Sequence, residues 1–227
     1  MNNNLINQQE YYLQQLYNNR FDPQQRKAKL LLWKTLIKDF LQKYVNPHSS
    51  VLDIGGGYGE FINNIKAKEK FLIDLNPDAK LFADENVMVL NMNILDLDDP
   101  ENFNHKLDHI FVSNFFEHLR NKEELVSILA VCYQLLNQGG SLLIIQPNFK
   151  YCYKEYYDFI DHQLPITHLS LQEILETIGF KIELLIPRFL PYSTKGRPSS
   201  PKLLSIYLKL PILWNFLGSQ MFIKAVK

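Results

Sequence analysis

Val51-Leu52-Asp53-Ile54-Gly55-Gly56-Gly57-Tyr58-Gly59-Glu60-Phe61 runs from a short apolar segment into a cluster of glycines and out into a second apolar pattern. This order predicts a buried strand over Ser50 to Ile54, a tight turn, and a helix over Glu60 to Ala67. Glycine is needed where the backbone takes positive φ, or where a ligand must come against the main chain. At the carboxyl end of the first strand of an open α/β sheet, that ligand is a nucleotide-like cofactor lying in the crevice.

The sequence on either side keeps the same rhythm. Further apolar runs occur at Phe71 to Leu75, Val87 to Met92, His109 to Ser113 and Ser141 to Gln146, separated by a short segment near Pro77 to Ala83 and a helical pattern over Lys122 to Leu136. Continuous apolar strands of this length suit a parallel sheet buried on both faces, and their alternation with helices implies an open, doubly wound sheet. Two helices precede the first strand: a Gln- and Tyr-rich one from about residue 5 to 18, and one opening at Asp22-Pro23 and ending near Asn46-Pro47. Beyond Asn148, Ser170-Leu171-Gln172-Glu173 reads as a capping box that starts a helix ending at Gly179. Phe180 to Ile186 and Gln220 to Val226 read as two more strands. The basic, Pro-rich loop Arg188 to Pro201 and the apolar segment Lys202 to Leu217 lie between them.

Spacing selects among cofactors. A dinucleotide fingerprint, G-x-G-x-x-G/A, places a small residue third and a pyrophosphate at the helix start. Counted from Gly55, the third position is Glu60, whose bulk and charge oppose that arrangement. The pattern is instead D-x-G-x-G-x-G, with Asp53 ahead of Gly55, Gly57 and Gly59. A carboxylate there suits a ligand carrying an ammonium and a sulfonium, which favours S-adenosylmethionine over a nicotinamide dinucleotide. The second strand ends in Asp74, 19 residues after Gly55, the placement of a ribose-binding acid.

Together these residues resemble the class I, Rossmann-like, S-adenosylmethionine-dependent methyltransferases over roughly residues 49 to 148. Val51 to Gly59 matches the first motif and Asp74 the ribose acid. Asn91-Met92-Asn93-Ile94 matches the adenine-flanking segment, with Asn93 where an Asp is common. Leu107 to Asn114 matches the fourth strand, Phe115-Phe116-Glu117-His118-Leu119 the turn after it, and Leu136-Asn137-Gln138-Gly139-Gly140 the turn before strand five. The resemblance implies a seven-stranded sheet, mostly parallel, whose last strand is antiparallel. It also implies a cofactor site from Asp53, Gly55, Gly57, Gly59, Asp74, Asn93, Ile94 and Asn114. The stretches Phe115 to Leu119, Gln146 to Asn148 and Arg188 to Tyr192 resemble a bacterial subset of the family, without fixing a substrate.

Methyl transfer from a sulfonium is an in-line displacement to which a protein contributes alignment and exclusion of water. A base is required only where the acceptor must lose a proton. His118, just after strand four, and His162 are the candidate bases; the bland role for His118 is a helix-start histidine bonded to a neighbouring loop. Tyr156, Tyr157, Asp161 and His168 are candidate substrate contacts, the tyrosines having packing as their alternative role. No metal cluster is apparent in the spacing.

The chain of 227 residues is expected to form a single methyltransferase domain: N-terminal helices over 1–47, a cofactor-binding core over 48–148 and a substrate-side part over 149–227. Lys plus Arg equals Asp plus Glu at 24 each, so no bulk field draws it to nucleic acid. The expected partner is a small-molecule, glycan or lipid-linked acceptor. Cys132 and Cys152 lack a zinc or disulfide pattern, and with no signal peptide a cytoplasmic location is expected. Lys202 to Leu217 is too short and broken to cross a bilayer, leaving a lid, an interface, a core-covering helix or peripheral membrane contact as its roles. A cofactor-binding protein without catalysis and a nicotinamide-dependent oxidoreductase are the alternative readings.

Overall fold

The computed structural model describes residues 23–97, 106–192 and 200–227. The helix expected near residues 5 to 18 and half of the Arg188 to Pro201 loop, residues 193–199, lie outside these residues. The strands are β1 (Ser50–Ile54), β2 (Glu69–Ile73), β3 (Val87–Leu90), β4 (Leu107–Ser113), β5 (Leu136–Pro147), β6 (Lys181–Ile186) and β7 (Gln220–Val226). They form one seven-stranded sheet in the order β3-β2-β1-β4-β5-β7-β6. The pairs among β1 to β5 are parallel, and β7 runs antiparallel between β5 and β6. The Rossmann-like sheet with an antiparallel last strand is therefore as expected.

Apolar residues sort by the two-residue strand period. Leu52, Ile54, Ile110, Val112, Leu142 and Ile144 face one half of the core, with α3 (Lys122–Leu135) and α5 (His168–Ile178). Val51, Phe111, Leu143, Ile145 and Phe222 face the other, with α1 (Pro23–Leu36) and α6 (Pro201–Leu208). The remaining helices are α2 (Ala79–Phe82), α4 (Phe149–Cys152) and α7 (Pro211–Leu217). The apolar segment 202–217 thus folds as two short helices parted near Lys209 and Pro211.

Three local expectations change. No continuous helix forms over Glu60 to Ala67; the chain passes through turns in which Asn63 N–H donates to Gly59 O and Ile65 N–H to Phe61 O. Two adjacent asparagines supply the reason. Asn63 bonds away to Phe82 O and Asp84 N–H, and Asn64 Nδ2 takes the Glu60 carbonyl, so side chains compete with the helical ladder. Phe61, Ile62 and Ile65 are nonetheless buried. Second, α5 begins before the expected box. Thr167 is the cap and Ser170 the reciprocating third residue, while Gly179, at φ 117°, closes the helix as expected. Third, the Asn137 to Gly140 turn is absorbed into β5 as a bulge, the register jumping from Leu107↔Leu136 to His109↔Ser141.

Candidate functional site

The glycine loop leaves β1 at the middle of the sheet, where order reverses between β2 and β4, the crevice position for a ligand. Gly57 has φ 52°, and a Cβ built on it would meet no atom within 4 Å, so a side chain there would project into open space. Gly55 differs. Its Cβ would lie 2.5 Å from Cδ2 of Phe115, so the ring after β4 packs directly on the loop.

Asp53 is buried beneath this loop, and its Oδ2 has no hydrogen-bond partner. Burial raises its pKa well above the usual carboxylate value, and the nearby Glu60 and Asp74 charges add to the rise, opposed by the Ile62 amide. A buried acid with one oxygen unpartnered, among other acids, is a poor structural device and a good receptor for a cation. Asp74, at the end of β2, accepts Gly57 N–H at Oδ2 (2.8 Å) and Asn76 N–H at Oδ1 (2.7 Å). Burial raises its pKa while these two amides lower it. Each oxygen retains a lone pair for a hydroxyl donor.

Asn93 Oδ1 accepts Leu95 N–H at 3.0 Å and so caps the turn Ile94–Asp96, with Ile94 buried beneath. Asn114 follows β4 with φ 49°, its amide donating to Ile145 O and its side chain to Ser113 Oγ. The loop also has a cover from the helix before the sheet. From α1, Lys29 pairs with Glu60 at 2.9 Å, and Arg26 donates to Tyr58 Oη at 2.8 Å with its guanidinium 4.3 Å from that ring's centre.

A second polar centre stands one strand away. Glu117 and His118 lie on the turn Phe116–His118 after β4. Glu117 is only 1% exposed and accepts from Gln146 Nε2 at 2.8 Å; burial raises its pKa, against the lowering effect of His118 and hydrogen bonds. His118 Nδ1 lies 3.0 Å from the Asp161 carbonyl and 3.4 Å from its Oδ2. The His118 and His162 rings are 5.3 Å apart, and His162 Nδ1 lies 3.2 Å from Tyr192 Oη. The structure thus brings His118, Asp161 and His162 together as neighbours. It adds Glu117, Gln146 and Tyr192, which sequence reading had not singled out as site residues; the packing of β5 and the 188–192 segment carries the last two there.

The remaining candidates separate. Tyr157 is 60% exposed beside this centre, packed edge-on to Tyr156. Tyr156 is fully buried; it donates its hydroxyl to Leu164 O at 2.6 Å and packs on Phe149 and His162, so it positions His162 and meets no solvent. His168 is also buried, joined to Asn148 through Nδ1 at 2.9 Å and stacked on Tyr151, and so ties the end of β5 to the start of α5. Burial and Lys150 lower its pKa. Cys132 and Cys152 are buried free thiols, each pushed up to about 12 by burial. Among the described residues no helix is long and apolar enough to cross a membrane.

A family model described as a methyltransferase domain matches residues 21–185. A search of curated proteins finds no match. Among solved structures, an S-adenosylmethionine-dependent methyltransferase from Archaeoglobus fulgidus is 22% identical with a TM-score of 0.62, over 86% of this chain and 92% of the other. A possible histamine N-methyltransferase from Thermotoga maritima is 14% identical with a TM-score of 0.63, over 96% and 97%. The N-methyltransferase NodS from Bradyrhizobium japonicum, solved with S-adenosylhomocysteine, is 15% identical with a TM-score of 0.55, over 90% and 87%. With its glycine loop, its two acids and this sheet, the chain belongs to the class I S-adenosylmethionine-dependent methyltransferases.

Proposed function

We propose that the methyl group goes to a hydroxyl of a small-molecule, glycan or lipid-linked acceptor held over the carboxyl ends of β4 and β5. The observation that carries this reading is the centre of Glu117, His118, Asp161, His162 and Tyr192, one strand from the glycine loop. Neighbouring strands are about 4.8 Å apart. Phe115 packs on Gly55 and precedes Glu117 by two residues, linking the two places.

The cofactor supplies a methyl already activated on a sulfonium. Asp53 faces its cationic end, Asp74 accepts its ribose hydroxyls, and Asn93 and Ile94 border its adenine. Gly55, Gly57 and Gly59 bring the main chain against it, and Asn114 lies at the junction with the acceptor. His118, oriented by Asp161, takes the acceptor proton, with His162 beside it. Exposed Tyr157 gives the acceptor a ring face and a hydroxyl. Residues 149–227 form the acceptor side, as their contribution of Asp161, His162 and Tyr192 supports. Leu203, Ile206, Ile212 and Phe216, exposed on α6 and α7, favour a lipid-linked member of the acceptor class approached at a membrane surface.

The test is a methyl-transfer screen with labelled cofactor over glycan, lipid-linked and small-molecule acceptors that offer hydroxyl, amine or nucleophilic carbon groups, repeated with His118→Ala. Label appearing in one class and lost in the variant supports the reading. Transfer to an amine or carbon acceptor, undiminished in the variant, overturns it.

A further inference from the structure

We infer that Glu117, His118 and His162 bind one divalent transition cation, of the kind that imidazole and carboxylate hold together, such as zinc, manganese or cobalt. A carboxylate oxygen of Glu117 and one nitrogen from each ring all lie within 4.8 Å of one another. A cation bonded at about 2.1 Å to each needs them about 3 to 4 Å apart, so side-chain movements of about 1 Å close the set. Two histidines and one acid form a known catalytic metal set that leaves further positions open for water or acceptor oxygens.

The surroundings fit a metal better than they fit a bare ion pair. Glu117 is almost wholly buried, and a buried carboxylate is kept by a charge partner or a metal. Each imidazole is also held through its Nδ1. His118 Nδ1 faces the Asp161 carbonyl and carboxylate, and His162 Nδ1 faces the Tyr192 hydroxyl, which assigns Nε2 of each ring to the cation. Gln146 Nε2 fixes the third ligand, donating to Glu117 Oε2. Ligands oriented through their second atom are what metal sites require, and loss of such partners costs about 10- to 100-fold in affinity. The mixed nitrogen and oxygen donors disfavour magnesium and calcium, which take oxygen ligands.

The site rests on these contacts and extends the proposed acceptor reading. With the cation bound, both histidines are ligands: the cation lowers the pKa of an acceptor hydroxyl bound to it, the hydroxyl gives its proton to water, and its oxygen takes the methyl as the carbon–sulfur bond breaks, so that His118 acts as ligand in place of base. The test uses the untagged full chain, stripped with chelator and titrated with cobalt(II) alone, followed by calorimetry and by visible absorption. One cobalt per chain with ligand-field bands is expected, together with a raised Tm in cobalt. Glu117→Gln and His118→Asn should each weaken uptake tenfold or more, and Tyr192→Phe also about tenfold. Absence of saturable uptake by the wild-type chain overturns the site, as does uptake unchanged in the folded variants. Binding of S-adenosylmethionine, measured on the same samples, stands apart from either outcome. His118-dependent methyl transfer undiminished by chelator would retain the base reading and dismiss the metal.

Discussion

Asp74 and Gly57, 17 residues apart, are joined by a 2.8 Å hydrogen bond from the glycine's amide to the carboxylate's Oδ2. The acid assigned to the ribose therefore also holds the loop assigned to the rest of the cofactor. Binding and loop geometry are coupled through one side chain.

The two neighbouring glycines should respond to substitution in opposite ways. Gly57→Ala adds a methyl into open space, so the protein folds with a strain cost of about 1 kcal/mol from its positive φ. The methyl stands where the cofactor should lie, and affinity for S-adenosylmethionine is expected to fall at least tenfold. Gly55→Ala instead meets the Phe115 ring and should lower Tm more than Gly57→Ala does. Thermal melts and calorimetry on the pair check this; normal cofactor affinity in Gly57→Ala would make the loop structural only.

Asp53 should trade stability for binding. Its folded pKa is raised, so the folded chain holds this proton more tightly than the unfolded chain does. Between the ordinary carboxylate value of 3.8 and the raised folded value, its contribution to stability falls as pH rises, and above that window the buried charge is a net cost. Asp53→Asn removes that cost. Relief of about 1 kcal/mol would raise the ligand-free Tm at neutral pH by about 2 to 4 °C. The same variant should bind S-adenosylmethionine at least tenfold more weakly. In the wild type, acid should weaken cofactor binding as Asp53 protonates, with proton release on binding visible in buffers of different ionisation enthalpy. An Asn variant that melts lower yet binds normally contradicts this account.

Tyr156→Phe leaves the Leu164 carbonyl without its buried donor, a loss of about 1 to 3 kcal/mol. A Tm decrease of several degrees is expected by differential scanning calorimetry, with cofactor affinity unchanged. Tyr157→Phe, at an exposed ring, should leave Tm unchanged and alter only acceptor turnover.

His162→Ala and His118→Ala should lower turnover at least a hundredfold, the usual contribution of a proton-transferring or metal-holding group, while cofactor affinity stays within a factor of three or so. Single-turnover assays with the acceptor from the screen, alongside calorimetry, separate the two quantities. Loss of cofactor affinity equal to the loss of turnover would place the histidines in cofactor binding instead.

The strands were legible because their signal is local: β1 and β7 occupy the expected residues, and the other five differ mainly at their ends. Apolar spacing predicts a helix after the glycine loop, where none forms, because it does not register that Asn63 and Asn64 divert their bonds. Ser170 reads as the cap of its box and is instead the reciprocating third residue, since Thr167 and Ser170 both offer a hydroxyl. At the site, Asp53 and Asp74 could be named from their spacing to glycines. Glu117 stood within a quoted motif without a role, because nothing linear reveals that Gln146 and His162 fold against it. Tyr192 and the α1 cations Arg26 and Lys29 reach their places only through long-range packing. The tyrosines at 156 and 157 look alike in sequence, and burial alone distinguishes them.

Isothermal titration of the full chain with S-adenosylmethionine, run beside Asp74→Ala and with NAD as the competing ligand, tests the central claim most directly. The account predicts one site per wild-type chain, no uptake of NAD, and affinity for S-adenosylmethionine at least tenfold lower in the variant, since charge-assisted hydrogen bonds contribute about 1.5 to 3 kcal/mol. Saturable NAD binding in place of S-adenosylmethionine, or equal affinity in a folded Asp74→Ala variant, would contradict it.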